Sequence, residues 1–300
     1  MIIYKEMKRK KYSVDEKKNE MKVAFLLVAV LAACNAFPIE EPEQDMSIFF
    51  EHVDLNARIV GGTQAARGAH PHMVAITNGA TMRHLVCGGS VVSRRTVLTA
   101  AHCIVPIRVG NNVHPNARAT VGSNRWNSGG QMYAFQRFVM HPNYNANTIK
   151  NDIGVLHTSN NIVWNNFVSA IVINYEWIGA GMNSRVAGWG RTRAGGAASA
   201  NLLQLDTQTI DGNRCARDVP AVAASVNILA PAIDPSVELC TFHSRNHGTC
   251  HGDSGSALVR VDRGQQIGVV SWGIPCALGA PDMFVRISAF RNWVESNIVN

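Results

Sequence analysis

Three short stretches hold the side chains able to do chemistry. Leu98-Thr99-Ala100-Ala101-His102-Cys103 offers an imidazole, Asn151-Asp152-Ile153-Gly154-Val155-Leu156 a carboxylate, and Gly252-Asp253-Ser254-Gly255 a hydroxyl. A serine hydroxyl is a poor nucleophile at neutral pH and needs a base to take its proton. An imidazole is such a base, and a carboxylate behind it can fix its tautomer. Each residue also has a plain structural alternative: His102 as packing beside Cys103, Asp152 as half of an arginine ion pair, Ser254 as part of a turn. Asp152 carries extra weight, because no Asp or Glu occurs between Ile59 and Asn151. A carboxylate entering an apolar stretch costs several kcal/mol unless it is paired. Ser254 between glycines can sit on a sharp turn, its hydroxyl exposed and nearby backbone N–H groups free to point at a substrate.

The elements that must hold these groups read as all-β. From Ile59 onward, short β-branched stretches alternate with Gly, Asn and Pro clusters: His72–Thr77, Ser90–Thr99, Gln131–Met140, Ser184–Trp189, Leu202–Ile210, Ser256–Val261 and Gln266–Ser271. Turn signals this frequent favour sandwiches or barrels over βαβ units. Only the C-terminus looks helical, with Ile287, Phe290, Trp293, Val294 and Ile298 at helical spacing. The expected architecture is two packed antiparallel β-barrels, the first over about 59–165 and the second over about 166–286, with a helix over 287–300.

Composition limits the remaining possibilities. The chain has 300 residues, 46% hydrophobic and 16% charged, with a net charge of +7. That balance excludes a disordered tail protein, a collagen and a multi-span membrane protein. It leaves a nucleic-acid binder open. Seven of the eight lysines lie in residues 1–22, whereas 18 of the 20 arginines follow Ile59.

The front end reads as processed. Residues 1–36 form an N-terminal extension and signal peptide, with Met21 the expected start of translation. The apolar run Val23–Cys34 is too short to cross a bilayer core of about 30 Å as a helix and has the length of a signal-peptide core. Cleavage after Ala36 would remove Cys34 and leave six of the seven cysteines, an even number suited to an exported chain. Residues 37–58 hold Glu40, Glu41, Glu43, Asp45, Glu51 and Asp54 against a single base, Arg58, and read as an acidic pro-segment.

Together, these motifs identify a resemblance. From Ile59 to the C-terminus the chain resembles the chymotrypsin-like, trypsin-fold serine endopeptidases. Ile59-Val60-Gly61-Gly62 matches the family's mature N-terminus. His102, Asp152 and Ser254 match its three catalytic motifs, and Ser271-Trp272-Gly273 its substrate-binding strand. The resemblance implies that His102 is the general base, Asp152 its orienting partner and Ser254 the nucleophile. The N–H groups of Gly252 and Ser254 would form the oxyanion hole, worth about 3–4 kcal/mol per donor. It implies activation by a trypsin-like protease at Arg58–Ile59, the new Ile59 ammonium pairing with Asp253. It also implies disulfides Cys87–Cys103, Cys215–Cys240 and Cys250–Cys276. The partners implied are protein and peptide substrates, the activating protease and protein protease inhibitors. Neither nucleic acid nor membrane is expected as a partner, and the protein would be a secreted monomer.

Two positions depart from the common family pattern. Trypsins carry Asp six residues before the nucleophile, where this chain has Gly248. Asp282 instead falls where most members have Gly on the facing pocket wall, a swap that resembles broad-specificity collagenolytic enzymes and some arthropod chymotrypsins. Gly273 leaves the pocket mouth open. The expected cleavage is after large apolar or aromatic residues, with tolerance of basic ones. Second, Ser256-Ala257 stands where the family's usual GDSGGP has Gly and Pro.

Other candidates are weaker. His243, His247 and His251 recur every four residues, but Gly248 and Cys250 place them in a loop rather than on a metal-binding helix face. Without acids before Asn151, the family's calcium loop cannot form in its usual way, and no metal or cofactor is expected. The alternative from another class is a catalytically weak homologue binding polyanions or a protein partner. Lacking extra modules and having a short pro-segment, the chain fits digestion better than a regulatory cascade. Residues 59–300 hold 18 arginines, one lysine and 11 acids. Arginine stays charged beyond about pH 12, whereas lysine loses its charge near about 10.4. Such a surface would remain charged in an alkaline lumen such as some insect midguts, with compositional bias as the alternative explanation.

Overall fold

The computed structural model describes Phe49 and residues 61–191, 197–274 and 277–300. The expected signal peptide, the expected cleavage bond Arg58–Ile59 and Cys276 lie outside the described residues.

The strands run β1 (Thr63–Gln64), β2 (Met73–Asn78), β3 (His84–Val91), β4 (Thr96–Thr99), β5 (Arg108–Val109), β6 (Asn112–Val113), β7 (Arg118–Val121), β8 (Gln131–Met140) and β9 (Gly154–Thr158). They continue as β10 (Asn183–Gly188), β11 (Leu203–Thr209), β12 (Glu238–Phe242), β13 (Ala257–Arg260), β14 (Gln265–Gly273) and β15 (Asp282–Arg286). The order β2-β3-β4-β9-β8-β7 closes the first barrel. The second runs β11-β10-β13-β14-β15-β12 and closes through β12 on β11, with β1 added outside β11. The chain is thus all-β, two antiparallel six-stranded barrels and few helices.

Three differences from the sequence reading have local causes. Ser90–Thr99 is not one strand: β3 ends at Val91, and Val92 N–H donates to Thr96 O at 3.0 Å to close a hairpin through the polar Ser93-Arg94-Arg95. The C-terminus is not the only helical region. After α1 (Ala101–Ile104), a 14-residue helix α2 spans Gly212–Ser225. Asp211 caps α2 by accepting from the N–H groups of Asn213 and Arg214, both at 3.0 Å. Cys215, Val219 and Ala223 form its buried stripe, while the interior Pro220 obscures the helical pattern. Finally, the C-terminal segment 287–300 is a 3₁₀ turn (Ile287–Phe290) followed by α3 (Arg291–Asn297).

That segment fastens the chain's end to the first barrel. Ile287, Phe290 and Val294 pack into the cluster containing Val97, Leu98, Val155 and Leu156. Val299 exchanges hydrogen bonds with the Thr96 hydroxyl, each at 2.9 Å.

Candidate active site

Strand pairing brings two of the three chemical groups together. β4 lies antiparallel to β9 with Thr99 opposite Gly154. The chain leaving β4 therefore emerges where the chain entering β9 arrives, which places His102 of α1 beside Asp152. The disulfide Cys87–Cys103, with Cα atoms 5.9 Å apart, ties α1 to β3 next to His102.

Asp152 is fully enclosed and accepts three hydrogen bonds. His102 N–H donates to Oδ1 at 2.8 Å, His102 Nδ1 lies 2.7 Å from Oδ2, and Ser271 Oγ–H donates to Oδ2 at 2.6 Å. Burial alone would raise its pKa; the facing imidazole, the Ser271 hydroxyl and the His102 amide outweigh that and hold the carboxyl below its usual range. The Ser271 bond has a backbone cause. β14 pairs with β15 through Val270–Phe284 and Trp272–Met283, so Ser271 falls in a bulge between them. A bulge re-aims the side chain it carries, and here the side chain meets Asp152. In the sequence Ser271 stands out only as part of the stretch that the resemblance makes the expected substrate-binding strand.

The Gly252–Gly255 turn reaches the same place from the second barrel. Ser254 O accepts from Gly88 N–H of β3 at 2.8 Å. Gly255 lies against Thr99 and Cys103, the residues that bracket His102. A Cβ there would come within 2.2 Å of Thr99 Oγ1 and 2.4 Å of Gly88 O, and its φ is +82°. Glycine is thus required on both steric and conformational grounds. The N–H groups of Asp253, Gly255 and Ser256 donate to Cys250 O, Val270 O and Asp253 O. Among the described residues, those of Gly252 and Ser254 have no protein acceptor. Ser256, the departure from the family pattern, has its hydroxyl buried without a hydrogen-bond partner.

Asp253 is buried, its Oδ1 accepting from Gly190 N–H at 2.8 Å and its Oδ2 from Cys250 N–H at 3.0 Å. Burial pushes its pKa up to about 7 against those two bonds, and the nearby Asp282 carboxylate adds to the rise.

Asp282 begins β15, opposite Gly273 of β14 and Thr241 of β12. It is 8% exposed. Thr249 N–H donates to its Oδ2 and the Thr249 hydroxyl to its Oδ1, both at 3.0 Å. A Cβ on Gly248 would come within 2.9 Å of Oδ2, and one on Gly273 within 3.5 Å of Oδ1. The carboxylate therefore lies between the two glycines and does not turn out to solvent. Burial raises its pKa to about 7, against the two Thr249 bonds. Thr249 itself escapes sequence reading, since only the fold sets it against Asp282.

Behind the strand lies a buried polar group that no motif signals. Glu238 Oε1 accepts from Trp272 Nε1–H at 2.9 Å, and its Oε2 lies 2.9 Å from Lys150 Nζ. Burial pushes the Glu238 pKa up against this partnership. Its effect is to fix the Trp272 indole in place.

The remaining candidates resolve locally. Cys215–Cys240 joins α2 to β12, with Cα atoms 6.3 Å apart. Cys250 is disulfide-bonded as well. Cys87, His102 and Cys103 lie close enough to suggest a metal site, but the two sulfurs are spent in their mutual disulfide. The rings of His243 and His247 stack at 4.4 Å, with both Nδ1 atoms on Ser244 Oγ, in a turn and not on a helix.

Comparison with known proteins decides what this arrangement belongs to. The family model described as Trypsin matches residues 59–294. The chain belongs to the trypsin family of serine proteases. It is 34% identical over 240 residues to chymotrypsin-2 of Vespa crabro, covering 80% of this chain and 99% of that protein. It is 35% identical over 248 residues to alkaline trypsin B of Manduca sexta, covering 80% and 91%. In fold it is similar to human heparin binding protein, with a TM-score of 0.64 at 24% identity over 79% of this chain and 95% of that one. As a member of the trypsin family the chain is a serine-type endopeptidase.

Proposed function

We propose that this trypsin-family endopeptidase is secreted as a zymogen, is activated by cleavage at Arg58–Ile59, and hydrolyses proteins after large apolar or aromatic residues and, with rising pH, after basic ones. The observation that carries the specificity is the Asp282 carboxylate between Gly248 and Gly273, held by Thr249.

His102 takes the proton of Ser254 as the hydroxyl attacks the scissile carbonyl, then gives it to the leaving amine. Asp152 holds the imidazole with Nδ1 protonated and stabilises its charged form. The N–H groups of Gly252 and Ser254 receive the oxyanion. In the uncut chain Asp253 is a buried carboxylate. An ammonium freed at Ile59 would compensate it and order the Gly252–Gly255 turn. Replacing Arg58 with Gln is therefore expected to leave the chain uncut by trypsin at that bond and essentially without peptidase activity. Full activity of the uncut variant would contradict activation.

With its folded pKa raised to about 7, Asp282 is neutral below that pH and anionic above it. A neutral floor suits an aromatic ring; an anionic one compensates a buried guanidinium. In peptides differing only at the residue before the cut, the Arg-to-Phe ratio of kcat/KM should rise about tenfold from pH 6 to pH 9. Asp282→Asn should flatten that rise and lower the ratio at pH 9 by about 10–100-fold, since each tenfold is about 1.36 kcal/mol of differential interaction. An unchanged ratio would remove Asp282 from the pocket.

A digestive setting is supported by the arginine-rich composition and by the similarity to a trypsin named as alkaline. No helix among the described residues is long and apolar enough to cross a membrane. A second reading, polyanion binding, draws on the first barrel. Among the described residues, none of its eight arginines from Arg67 to Arg137 pairs with a carboxylate. A complete Ser, His and Asp set favours catalysis.

A further inference from the structure

One residue of the acidic 37–58 segment has a defined place in the fold. Phe49 is 4% exposed and meets the Trp272 ring edge-on, with centroids 5.4 Å apart and planes at 78°. It belongs to an apolar cluster with Ile149, Trp272, Ile274, Ala280 and Met283. These residues surround the chemistry. Ile149 lies three positions before Asp152. Trp272 follows Ser271, whose hydroxyl meets Asp152, and precedes Gly273, which faces Asp282. The cradle is stiff, because the Trp272 indole is pinned to Glu238 and through it to Lys150. Trp272 and Ile274 are each 3% exposed. A substrate lying along β14 would have to touch this wall, and in this chain an aromatic side chain already covers it.

We propose that this cradle is a docking site for the chain's own acidic segment, seated through Phe49, so that the uncut chain keeps its substrate wall occupied from within. The proposal rests on reading 37–58 as an activation segment. Two features fit the occupant. An edge-to-face ring pair is a specific contact for an aromatic side chain. The segment's charge also complements the body, with six acids and one base against a 59–300 region of 18 arginines, one lysine and 11 acids. Covalent attachment gives the segment a high effective concentration at the cradle, which cutting at Arg58 abolishes. Cleavage would thus act twice, freeing the Ile59 ammonium and letting the plug leave.

The test uses a fluorescent synthetic peptide of residues 37–58 and Ser254→Ala chains, which cannot degrade it. Fluorescence anisotropy should show saturable binding to the chain cut at Arg58, and at least tenfold weaker binding of the Phe49→Ala peptide. The uncut Arg58→Gln, Ser254→Ala chain should bind the wild-type peptide at least tenfold more weakly than the cut one. Phe49→Ala in that uncut chain should restore binding. Equal binding of the two peptides, no binding to any form, or no difference between cut and uncut chains would each overturn the proposal. Because the readout needs no turnover, it remains decisive even if the cut wild-type chain hydrolysed nothing, which would instead count against the proposed function.

Discussion

Replacing Ser254 with alanine is expected to lower kcat by about a millionfold while leaving the fold intact, the scale of loss found when a serine nucleophile of this type is removed. The size follows from the chemistry. Without the hydroxyl, attack falls to water, a weaker nucleophile that is not part of the chain, and the covalent intermediate is lost. The residual rate would come from the oxyanion donors and from substrate binding, together about 10³–10⁴ over water. Stability should be spared, because the turn is held by backbone bonds from the N–H groups of Asp253, Gly255 and Ser256 and by Ser254 O on Gly88, none of which involves the Ser254 side chain. Steady-state hydrolysis of a peptide amide, together with a thermal melt, checks both halves. Retention of more than about one per cent of wild-type kcat with an unchanged melt would refute the nucleophile.

The second large effect is expected at Asp152, where Asn should lower kcat by about 10⁴ with little change in KM. Asp152 accepts from His102 N–H, His102 Nδ1 and the Ser271 hydroxyl. An amide of the same shape offers one oxygen for these donors and turns its NH₂ toward one of them. Facing Nδ1, that NH₂ stabilises the tautomer protonated on Nε2, which cannot accept the Ser254 proton. KM should hold, because Gly248, Gly273 and Asp282, the proposed pocket, are untouched. A loss of kcat under tenfold would mean that Asp152 does not orient the imidazole.

What the sequence made legible was what chemistry concentrates into short motifs. His102, Asp152 and Ser254 each sit in a short stretch that matches a family motif, so they stand out without a fold, and the fold sets His102 against Asp152. The barrels were legible as a class because turn signals recur along the chain. Contacts between distant segments were not. Ser271 meets Asp152 only because β14 bulges, and Thr249 meets Asp282 only because the Cys250 loop crosses the start of β15. Glu238 looks like any acid until β12 places it behind Trp272. Helix α2 stayed hidden for a local reason, the Pro220 in its interior. Phe49 lay in a segment whose charge suggested removal, so nothing marked it as a packing residue.

The closure of both barrels has a consequence for a protease living among copies of itself. Recognition of a peptide by strand addition needs an extended backbone with a free edge. Each strand of the two rings has a hydrogen-bonded neighbour on either side, so the bulk of the chain's extended backbone cannot be offered to another copy without first being unzipped. Among the described residues, what remains for self-digestion is the short strands β1, β5 and β6 outside the rings and the connecting loops, where large side chains such as Met82, Trp177 and Leu229 stand exposed. The architecture that assembles the site thus also shields the two rings from their own kind, making the enzyme's working lifetime a property of what lies outside them.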